Sequence, residues 1–556
     1  MTDDTPTPDE RRARWAREYA AQVPAADVRR NRSGIEVEPL YGPADRDSSR
    51  EPGGPEWPGQ YPYTRGIHAS MHRGRPWSPR LVVGLGVPED YNRRMRGLYD
   101  LGLTGLYVAP CNSHMRGYDP DAVEPELLGT CGTLVTTWED MAVCLDGLPI
   151  GEESVSLGDT APYTLSAMLL QAARARAIPW ERLAGTTNQS DYLSHYAALH
   201  MFFRLALAGQ RRIQLDHIDW MNRHAPRWNP LSVIGQHIQQ AGATPAQSMG
   251  LALSSAIQYA GDLRARGGDP DRFLQRFSFF FDVSISFFEE VAKFRAGRRL
   301  WARITKERFG ARDPRAQRLR FHAQTSGADL TRRQPLNNVA RVTIQAMAGI
   351  FGGLQSLHTD SYDEALGSPI EATARIAVAT QNILRDEAGL ADVIDPLGGS
   401  HYVEALTDRM EDAILDVVRA IDAQGGMFAA VQSGFVQRMI GESALAFQRR
   451  VDAGAQVVVG VNAFTRDDDA GERPPPIGRA DPAVLERYFE RLRAFKARRD
   501  AAQVARALDD LARAFDDPAE NTYAAVVAAI AAGATHGEVC ARARDAVGDG
   551  EPLVVA

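Results

Sequence analysis

The chain has 556 residues, of which 44% are hydrophobic and 24% charged, and this composition excludes collagen, coiled coil and wholesale disorder. A formal net charge of -8 argues against a nucleic-acid partner, because phosphate-binding proteins usually carry a basic excess. No run approaches 18 apolar residues and the amino terminus is polar, so we expect a cytoplasmic protein with neither a membrane span nor a signal peptide.

The first 65 residues are rich in Pro, Asp, Arg and Gly and predict an extended arm, residues 1–65, with one short helix from Glu10 to Gln22. From Leu81 onward, short β-prone runs alternate eight times with longer segments of helical period. Eight such units predict an α/β fold, a (β/α)8 TIM barrel over residues 66–465. The eight runs span residues 81–87, 105–110, 154–159, 183–189, 231–237, 277–283, 319–327 and 353–359.

A second boundary follows the barrel segment. Residues 466–480 combine charges, Gly and three consecutive prolines, which cannot join a helix or a strand and therefore predict a linker. Residues 481–556 are rich in Ala, Leu and Arg with helical period and predict a small helical domain. The four cysteines show no CxxC spacing, so we expect reduced thiols at Cys111, Cys131, Cys144 and Cys540.

Polar side chains cluster near the ends of the predicted strands, which is where barrels of this kind carry their chemistry. These residue types also cap helices and bond loop backbone, so each of them alone has a structural explanation. The joint pattern favours a functional site. Its members are Asn188, Gln236, His237, His322, Gln324, Gln355 and His358.

The familiar catalytic signatures are absent, since the sequence contains no GxxxxGK[ST], no HExxH and no GxSxG on a strand-to-helix turn. His68 and His72 have the spacing of one helix face, but the Gly and Pro around them do not favour a helix. We therefore expect no metal site.

The segment before the first predicted strand, TRGIHASMHRGRPWSPR, concentrates positive charge and hydroxyl groups. It contains Arg65, Arg73, Arg75 and Arg80, and Arg276 opens a later predicted strand. Such a loop suits a multiply anionic ligand, for example the phosphorylated tail of a cofactor. The alternative is a solvated surface with no ligand.

Several stretches resemble the catalytic subunit of adenosylcobalamin-dependent acyl-CoA mutases, the family of the methylmalonyl-CoA, isobutyryl-CoA and 2-hydroxyisobutyryl-CoA mutases. The resemblance extends from about residue 55 to residue 465. The stretches that carry it are YPYTRG, RPWSPR, GYDPD, WNPLSVIGQHIQQAGA, FSFFFD, EEVAKFRAGRRLWARI, FHAQTSG, FGGLQSLHTDSYDEAL, DPLGGSHYVE and VVVGVNAF.

The resemblance implies a barrel threaded along its axis by the pantetheine arm of coenzyme A, with a cobalamin-binding domain over the strand ends. It implies radical chemistry, in which the cobalt–carbon bond breaks homolytically and the thioester carbonyl group migrates to the neighbouring carbon. The role of the protein is then to bury and orient radicals rather than to supply an acid or a metal.

Site residues follow from the same resemblance. His237 matches the histidine that hydrogen-bonds the migrating carbonyl, and Gln324 matches a glutamine that contacts substrate and adenosyl group. Glu364, Asp360 and Gly327 match positions near the adenosyl group, with Asp360 in place of an asparagine. The matched coenzyme A contacts are Ser70, Met71, Arg75, Ser78, Arg80, Arg276, Ser278, His322 and Gln355.

Two positions of this family select the acyl group. Val82 and, approximately, His200 stand where the methylmalonyl-CoA enzymes have a tyrosine and an arginine that hold the substrate carboxylate. Ala109 stands where the 2-hydroxyisobutyryl-CoA enzymes have an aspartate for the hydroxyl, and Pro110 and Cys111 replace a Phe-Asp pair. We expect a neutral acyl group at least as bulky as isobutyryl, with or without a hydroxyl. Asn188 and Gln236 complete the predicted specificity set.

No DxHxxG motif, which carries the cobalt-binding histidine in this family, follows residue 465. The resemblance therefore implies that a separate small subunit binds adenosylcobalamin and that the helical tail is its docking element. A heterodimer or a heterotetramer is the default expectation.

Three alternatives stay open at this point. The first is methylmalonyl-CoA mutase activity, with a protonated His200 in place of the arginine. The second is a non-catalytic mutase-like subunit, given the departures at Val82, Pro110, Cys111 and Asp360. The third is a barrel lyase or aldolase, which needs a lysine or paired carboxylates at the strand ends.

Overall fold

The computed structural model describes residues 29–41, 56–200, 205–466 and 481–550, together with four single positions before residue 46. The predicted helix from Glu10 to Gln22 and the predicted linker at 466–480 lie almost entirely outside the described residues.

Nine parallel strands form one nearly closed barrel, in the order β7-β6-β5-β4-β3-β11-β10-β9-β8. This confirms the predicted TIM-barrel architecture. The strands are β3 (Ser78–Arg80), β4 (Gly105–Val108), β5 (Ser154–Leu157), β6 (Gly185–Thr187), β7 (Trp228–Asn229), β8 (Leu231–Ile234), β9 (Phe277–Val283), β10 (Phe321–Thr325) and β11 (Ser356–His358). Upstream, β1 (Arg29–Arg30) and β2 (Glu36–Val37) pair antiparallel.

The structure has nine barrel strands against eight predicted runs because β7 (Trp228–Asn229) precedes the fifth run, which begins at Leu231. Proline has no N–H to donate to a neighbouring strand, so Pro230 separates β7 from β8. Trp228 pairs with Gly185 of β6, and Leu231 pairs with Phe277 of β9. The two short strands on either side of Pro230 are therefore the two ends of the strand order.

The prediction of the first barrel strand at residues 81–87 was wrong. The strand runs from Ser78 to Arg80 and pairs with β11, while Val83 makes only an isolated bridge to Val108. Gly86 has φ +55°, a left-handed conformation that a continuous strand does not contain. As a result, Val82 lies in the loop at the carboxyl end of the barrel.

Long helices cover the outside of the barrel. The helix that follows β9 buries Val291, Phe294 and Trp301, which recur at helical spacing. A capping box at Thr244 begins the long helix Pro245–Ala265. The barrel helices of at least six residues are Pro88–Asp100, Trp138–Cys144, Thr164–Ala175, Tyr192–Ala197, Leu207–His224, Pro245–Ala265, Phe287–Glu307, Asn337–Phe351, Glu371–Asn382, His401–Ala423, Met427–Gln432 and Phe435–Asp452.

Short helices lie between these elements, at Met71–Gly74, Asn112–Met115, Gln236–Gln240 and Pro270–Phe273. Within the described parts of the chain, none of the helices combines the length and the apolar character that a membrane crossing needs.

The helical tail packs directly on the barrel. Leu485 and Tyr488 share a hydrophobic cluster with Val87 and Cys111. Asp119, in a loop after β4, accepts hydrogen bonds from the Thr535 hydroxyl and from the Gly537 backbone N–H. Apolar side chains and polar loop contacts together hold the helical tail against the segments that contain Val87, Cys111 and Asp119. Its helices are Pro482–Arg498, Ala501–Asp516, Thr522–Ala532 and His536–Val547.

His217 lies between the barrel and the tail, stacked on Tyr163 at 4.3 Å and edge-on to Tyr523 at 4.5 Å. Neither ring nitrogen has a hydrogen-bond partner among the described residues. Burial lowers the pKa of His217 to about 3, so the folded protein keeps this ring neutral where the unfolded chain protonates it.

We expect His217→Phe to reduce the acid sensitivity of folding. The pKa is lower in the folded state, so acid favours the unfolded chain between the unfolded pKa of about 6.5 and the folded one. Between pH 7.5 and pH 5, the wild type should lose about 2 kcal/mol more unfolding free energy than the variant. Urea unfolding at the two pH values measures this, and parallel losses in both proteins would contradict the prediction.

Candidate active site

A cavity of about 860 Å³ runs into the barrel along its axis. Its inner wall consists mainly of small polar side chains, among them Ser156, Thr186, Ser232 and Ser356. All nine predicted coenzyme A contacts line it, and so does Asn188 at the carboxyl end of β6. Small side chains on the inner face of the strands leave this passage open, where barrels of this size are usually filled.

The amino-terminal mouth of the cavity is strongly basic. Arg75 and Arg276 were predicted there, and the structure adds Arg315, Arg318 and Arg320, which sequence reasoning missed. Burial, and then the charges of Arg276 and Arg318, lower the pKa of Arg320 to about 10. Since guanidinium groups that repel one another are stabilised by an anion, this mouth suits a multiply phosphorylated ligand. The missed signal is the basic run RDPRAQRLR before β10.

Arg80 extends across the barrel interior, where its two terminal nitrogens donate to Ser156 Oγ at 2.6 Å and Ser154 Oγ at 2.8 Å. Burial lowers its pKa to about 10. His322 bonds Ser356 Oγ at 2.8 Å, and burial followed by the Arg80 charge lowers the pKa of His322 well below its usual value. The inside of the barrel therefore holds one guanidinium and one neutral imidazole.

Gln355 has a different role from the one its strand-end position suggested. Its Oε1 accepts from the Phe321 backbone N–H at 2.8 Å, and its Nε2 donates to the Gly353 carbonyl at 2.8 Å. The side chain lines the cavity, but both of its polar atoms hold the neighbouring strand ends.

His237 lies in the short helix after β8, at the carboxyl end of the barrel. Its Nε2 is 2.6 Å from Oε1 of Gln189, whose own Nε2 donates to Asn188 Oδ1 at 3.4 Å. With the amide in this orientation, Oε1 is the acceptor and the His237 proton is on Nε2. Gln189 was missed by sequence reasoning, although it directly follows Asn188 at the end of β6.

His200 stacks on His237 with ring centroids 4.3 Å apart, and His195 lies 5.2 Å from His237. Burial lowers the pKa of His200 to about 4. Burial, and then the His200 and His195 rings, lower the pKa of His237 well below its usual value. Both rings are therefore neutral at pH 7, and His237 donates a hydrogen bond without carrying a charge.

These three histidines offer ring nitrogens within 4.8 Å of one another, a spacing that suggests a metal. However, the ring planes of His200 lie only 21° from those of His237 and 15° from those of His195. Lone pairs in near-parallel stacked planes do not converge on one point, whereas a metal needs ligands that do. As placed, the three rings form a stack rather than a coordination site.

Gln324 belongs to a second hydrogen-bonded group at the same end of the barrel. Its Nε2 donates to Asp360 Oδ1 at 3.2 Å, and His358 Nε2 bonds the same oxygen at 3.0 Å. The backbone N–H of Val82 donates to His358 Nδ1 at 3.1 Å, which leaves the His358 proton on Nε2. Val82, His358, Asp360 and Gln324 thus form one continuous chain of contacts.

Sequence comparison adds to this geometry. The family model described as methylmalonyl-CoA mutase matches residues 30–549. The chain belongs to the methylmalonyl-CoA mutase family. It is 37% identical over 484 residues to the 2-hydroxyisobutanoyl-CoA mutase large subunit of Aquincola tertiaricarbonis, an alignment that covers 87% of this chain and 85% of that protein.

Other members of the methylmalonyl-CoA mutase family are longer than this chain. The probable mitochondrial methylmalonyl-CoA mutase of Caenorhabditis elegans is 39% identical over 480 residues, 86% of this chain but only 64% of the relative. The methylmalonyl-CoA mutase of Rhizobium meliloti is 36% identical over 521 residues, 93% of this chain and 72% of the relative.

The remaining predicted residues of this mutase-family chain lie around the carboxyl end. Val82 is 37% exposed, Ala109 and Gln236 are buried, and Glu364 is exposed at the rim. Desolvation, and then the charges of Asp360 and Asp363, raise the pKa of Glu364, while the exposure of the residue at the rim limits this rise. The rim therefore carries a carboxyl group close to two other acidic side chains.

Gly327 follows β10, and a Cβ at this position would lie 3.6 Å from Asp360 Oδ2 and 3.9 Å from Gln240 Nε2. The missing side chain leaves a small space between an acceptor and a donor. Lys293, by contrast, does not line the axial cavity; it lies in a barrel helix and donates to the Asp282 carbonyl at 2.8 Å. Among the residues that the structure describes, none of those lining the cavity is a lysine, so the aldolase alternative has no Schiff-base residue among them.

Proposed function

We propose that this chain is the catalytic large subunit of an adenosylcobalamin-dependent mutase that isomerises a short, branched acyl-CoA without a second carboxylate. The observation that carries the proposal is the axial cavity, which extends from a mouth of five arginines to Asn188 at the carboxyl end of β6; His237 and Gln324 follow or end other strands at this same end of the barrel. An elongated ligand with phosphates at one end and a reactive group at the other fits a cavity whose two ends differ in this way.

In this function the arginine mouth binds the phosphates of coenzyme A, and the serine-lined passage holds the pantetheine arm. Serine hydroxyls can bond the pantetheine amides without filling the passage. The thioester then lies at the carboxyl end, where His237 donates its Nε2 proton to the carbonyl oxygen in exchange for Gln189 Oε1. Gln324 contacts the acyl group from the neighbouring strand.

Adenosylcobalamin, when bound, supplies the radical chemistry that such a rearrangement requires. On this chain, Glu364 at the rim and the space over Gly327 fit the adenosyl part, because a carboxyl group suits ribose hydroxyls and a glycine permits close approach. The surrounding loops exclude water from the reacting groups. The closed barrel supports this role, since it keeps the acyl group away from solvent.

The neutral His200 and the aliphatic Val82 support an acyl group with no free carboxylate. A carboxylate in this pocket needs a cationic partner, and the lowered pKa of His200 removes the charge that the methylmalonyl-CoA alternative requires. His237, whose pKa burial also lowers, adds a second neutral ring beside His200. The pocket therefore favours a branched, uncharged acyl group.

A separate small subunit that carries the cobalamin completes the proposal, as a heterodimer or a heterotetramer. It is supported by the name of the Aquincola tertiaricarbonis relative, a large subunit that matches this chain over most of its length.

The test combines the purified chain, the candidate small subunit and adenosylcobalamin with isobutyryl-CoA, 2-hydroxyisobutyryl-CoA and methylmalonyl-CoA, and follows isomer formation by mass spectrometry. We expect turnover of an uncharged acyl group and none of methylmalonyl-CoA. Turnover of methylmalonyl-CoA alone would refute the proposed substrate class, and failure to bind any acyl-CoA would refute the proposed function.

A further inference from the structure

His237 lies in a helix of only five residues, Gln236–Gln240, between β8 and the long helix Pro245–Ala265. So short a helix has too few internal hydrogen bonds to fix its own orientation, so its contacts with the barrel decide where the imidazole points. Gln189 holds the ring at Nε2. On the opposite side of the helix, the contact with the barrel is made by the buried side chain of Gln239.

Gln239 faces away from His237, because two residues turn a helix by about 200°. Its amide is bonded through both polar atoms. Nε2 donates to Glu290 Oε1 at 2.7 Å, and Oε1 accepts from Lys293 Nζ at 3.0 Å. The reverse orientation of the amide would bring its NH2 group against the ammonium group, so the two charges allow only one orientation of this side chain.

Glu290 and Lys293 also contact each other as an ion pair, and both side chains are 0% exposed. Lys293 Nζ donates to the Asp282 carbonyl at 2.8 Å, and Glu290 Oε1 accepts from the Ser284 hydroxyl at 2.6 Å. All three protons of the ammonium group therefore have an acceptor. Because Asp282 belongs to β9 and Ser284 directly follows it, the ion pair is fixed to the barrel wall.

The net stability that a buried ion pair contributes is often small, because removing two charges from water costs about as much free energy as their attraction returns. Apolar side chains of similar volume often stabilise a fold as well or better. Apolar side chains cannot, however, hold one amide in one orientation. The buried pair is thus suited to a positional role, and the side chain that both of its ions bond is Gln239.

We propose that Gln239, held between Lys293 and Glu290, is a positioning residue that orients the short helix so that His237 Nε2 points at the reacting carbonyl. Gln239 is not among the described residues that line the axial cavity, and it acts only through His237. This inference rests on the proposed function, which places the thioester carbonyl at His237. It assigns a role in the reaction to buried groups that neither the coenzyme A contacts nor the adenosyl contacts include.

Gln239→Met removes both hydrogen bonds and keeps the length of the side chain. Glu290 and Lys293 retain each other and their contacts with the end of β9, so we expect the variant to fold. Its turnover should fall about 10- to 100-fold, the cost of misplacing a catalytic group by roughly 1 Å, while its affinity for the acyl-CoA changes less than about twofold. Gln171→Met is the matched control, because Gln171 is buried in the barrel helix Thr164–Ala175, and it should keep wild-type turnover.

The His237→Ala background separates positioning from general damage to the fold. Gln239→Met added to His237→Ala should lower turnover less than about twofold further, because the ring that Gln239 positions is absent. A merely structural Gln239 would lower turnover by the same factor in both backgrounds, and that result overturns the inference. Wild-type turnover in the folded Gln239→Met variant overturns it as well.

NMR of the full chain with isotope-labelled histidine provides a readout that needs no turnover. The ring N–H of His237, assigned by its loss in His237→Ala, should exchange with water at least 10-fold faster, on the order of the loss in turnover, in Gln239→Met than in the wild type. An unchanged exchange rate overturns the inference. Absence of turnover in the wild type refutes the proposed function, and the NMR comparison still decides the role of Gln239. If Gln239→Met does not fold, Gln239→Asn takes its place, because its amide is one methylene too short to reach both ions.

Discussion

His237→Ala should lower turnover about 100- to 1,000-fold, the usual cost of removing one positioned donor to a reacting carbonyl. The affinity for the acyl-CoA should change less than about twofold, because the contact strengthens only as the carbonyl rearranges. The lowered pKa of His237 provides a second readout. Because the ring is already neutral at pH 6, its protonation should cause no step in the wild-type rate between pH 6 and pH 8.

Steady-state kinetics of the complete assembly measures the turnover, and a separate titration measures the affinity for the acyl-CoA. His224→Ala is the matched control, because this histidine is exposed at the end of another barrel helix. Wild-type turnover in His237→Ala would remove the residue from the mechanism. A large loss of affinity with unchanged turnover would instead assign it to ground-state binding.

Arg276→Ala should weaken coenzyme A binding about 10- to 100-fold and leave the turnover of bound substrate nearly unchanged. Arg276 lies at the arginine mouth, at the opposite end of the barrel from His237, so we expect it to contact the phosphates rather than the reacting group. Burial, and then the charges of Arg315 and Arg227, lower its pKa, so a bound anion would stabilise its charged form. The binding should also weaken with added salt.

Arg272→Ala tests whether this effect belongs to the mouth. Arg272 is four residues away, exposed, and absent from the cavity lining. Titration of coenzyme A into both variants should show weak binding for Arg276→Ala only. Equal affinities in the two variants would contradict the assignment of the mouth to the phosphates.

The alternation of β-prone and helical segments was sufficient to predict the barrel, because each βα unit has a local signal. The two errors arose where pairing partners outweigh local propensity. Leu81 to Val87 is apolar and β-prone, but only residues 78–80 find partners in β11. Similarly, the two-residue strand Trp228–Asn229 is too short for its composition to predict, and it exists because it pairs with β6.

The sequence predicted the coenzyme A contacts of the site better than the surroundings of His237. Residues in recognisable stretches, such as Ser278 and Gln355, converge on one cavity as expected. The stack of His195, His200 and His237 could not be foreseen, because it requires the segments that follow β6 and β8 to bring their rings into contact. Gln189 was missed since its role depends on the position of His237 and not on its own neighbours.

The most direct test of the central claim is an experimental structure of the chain with coenzyme A. The account predicts the phosphates at the mouth with Arg75 and Arg276, the pantetheine arm along the serine-lined axis, and the sulfur near His237. Coenzyme A bound outside the barrel, or inserted with its sulfur at the arginine mouth, would contradict it.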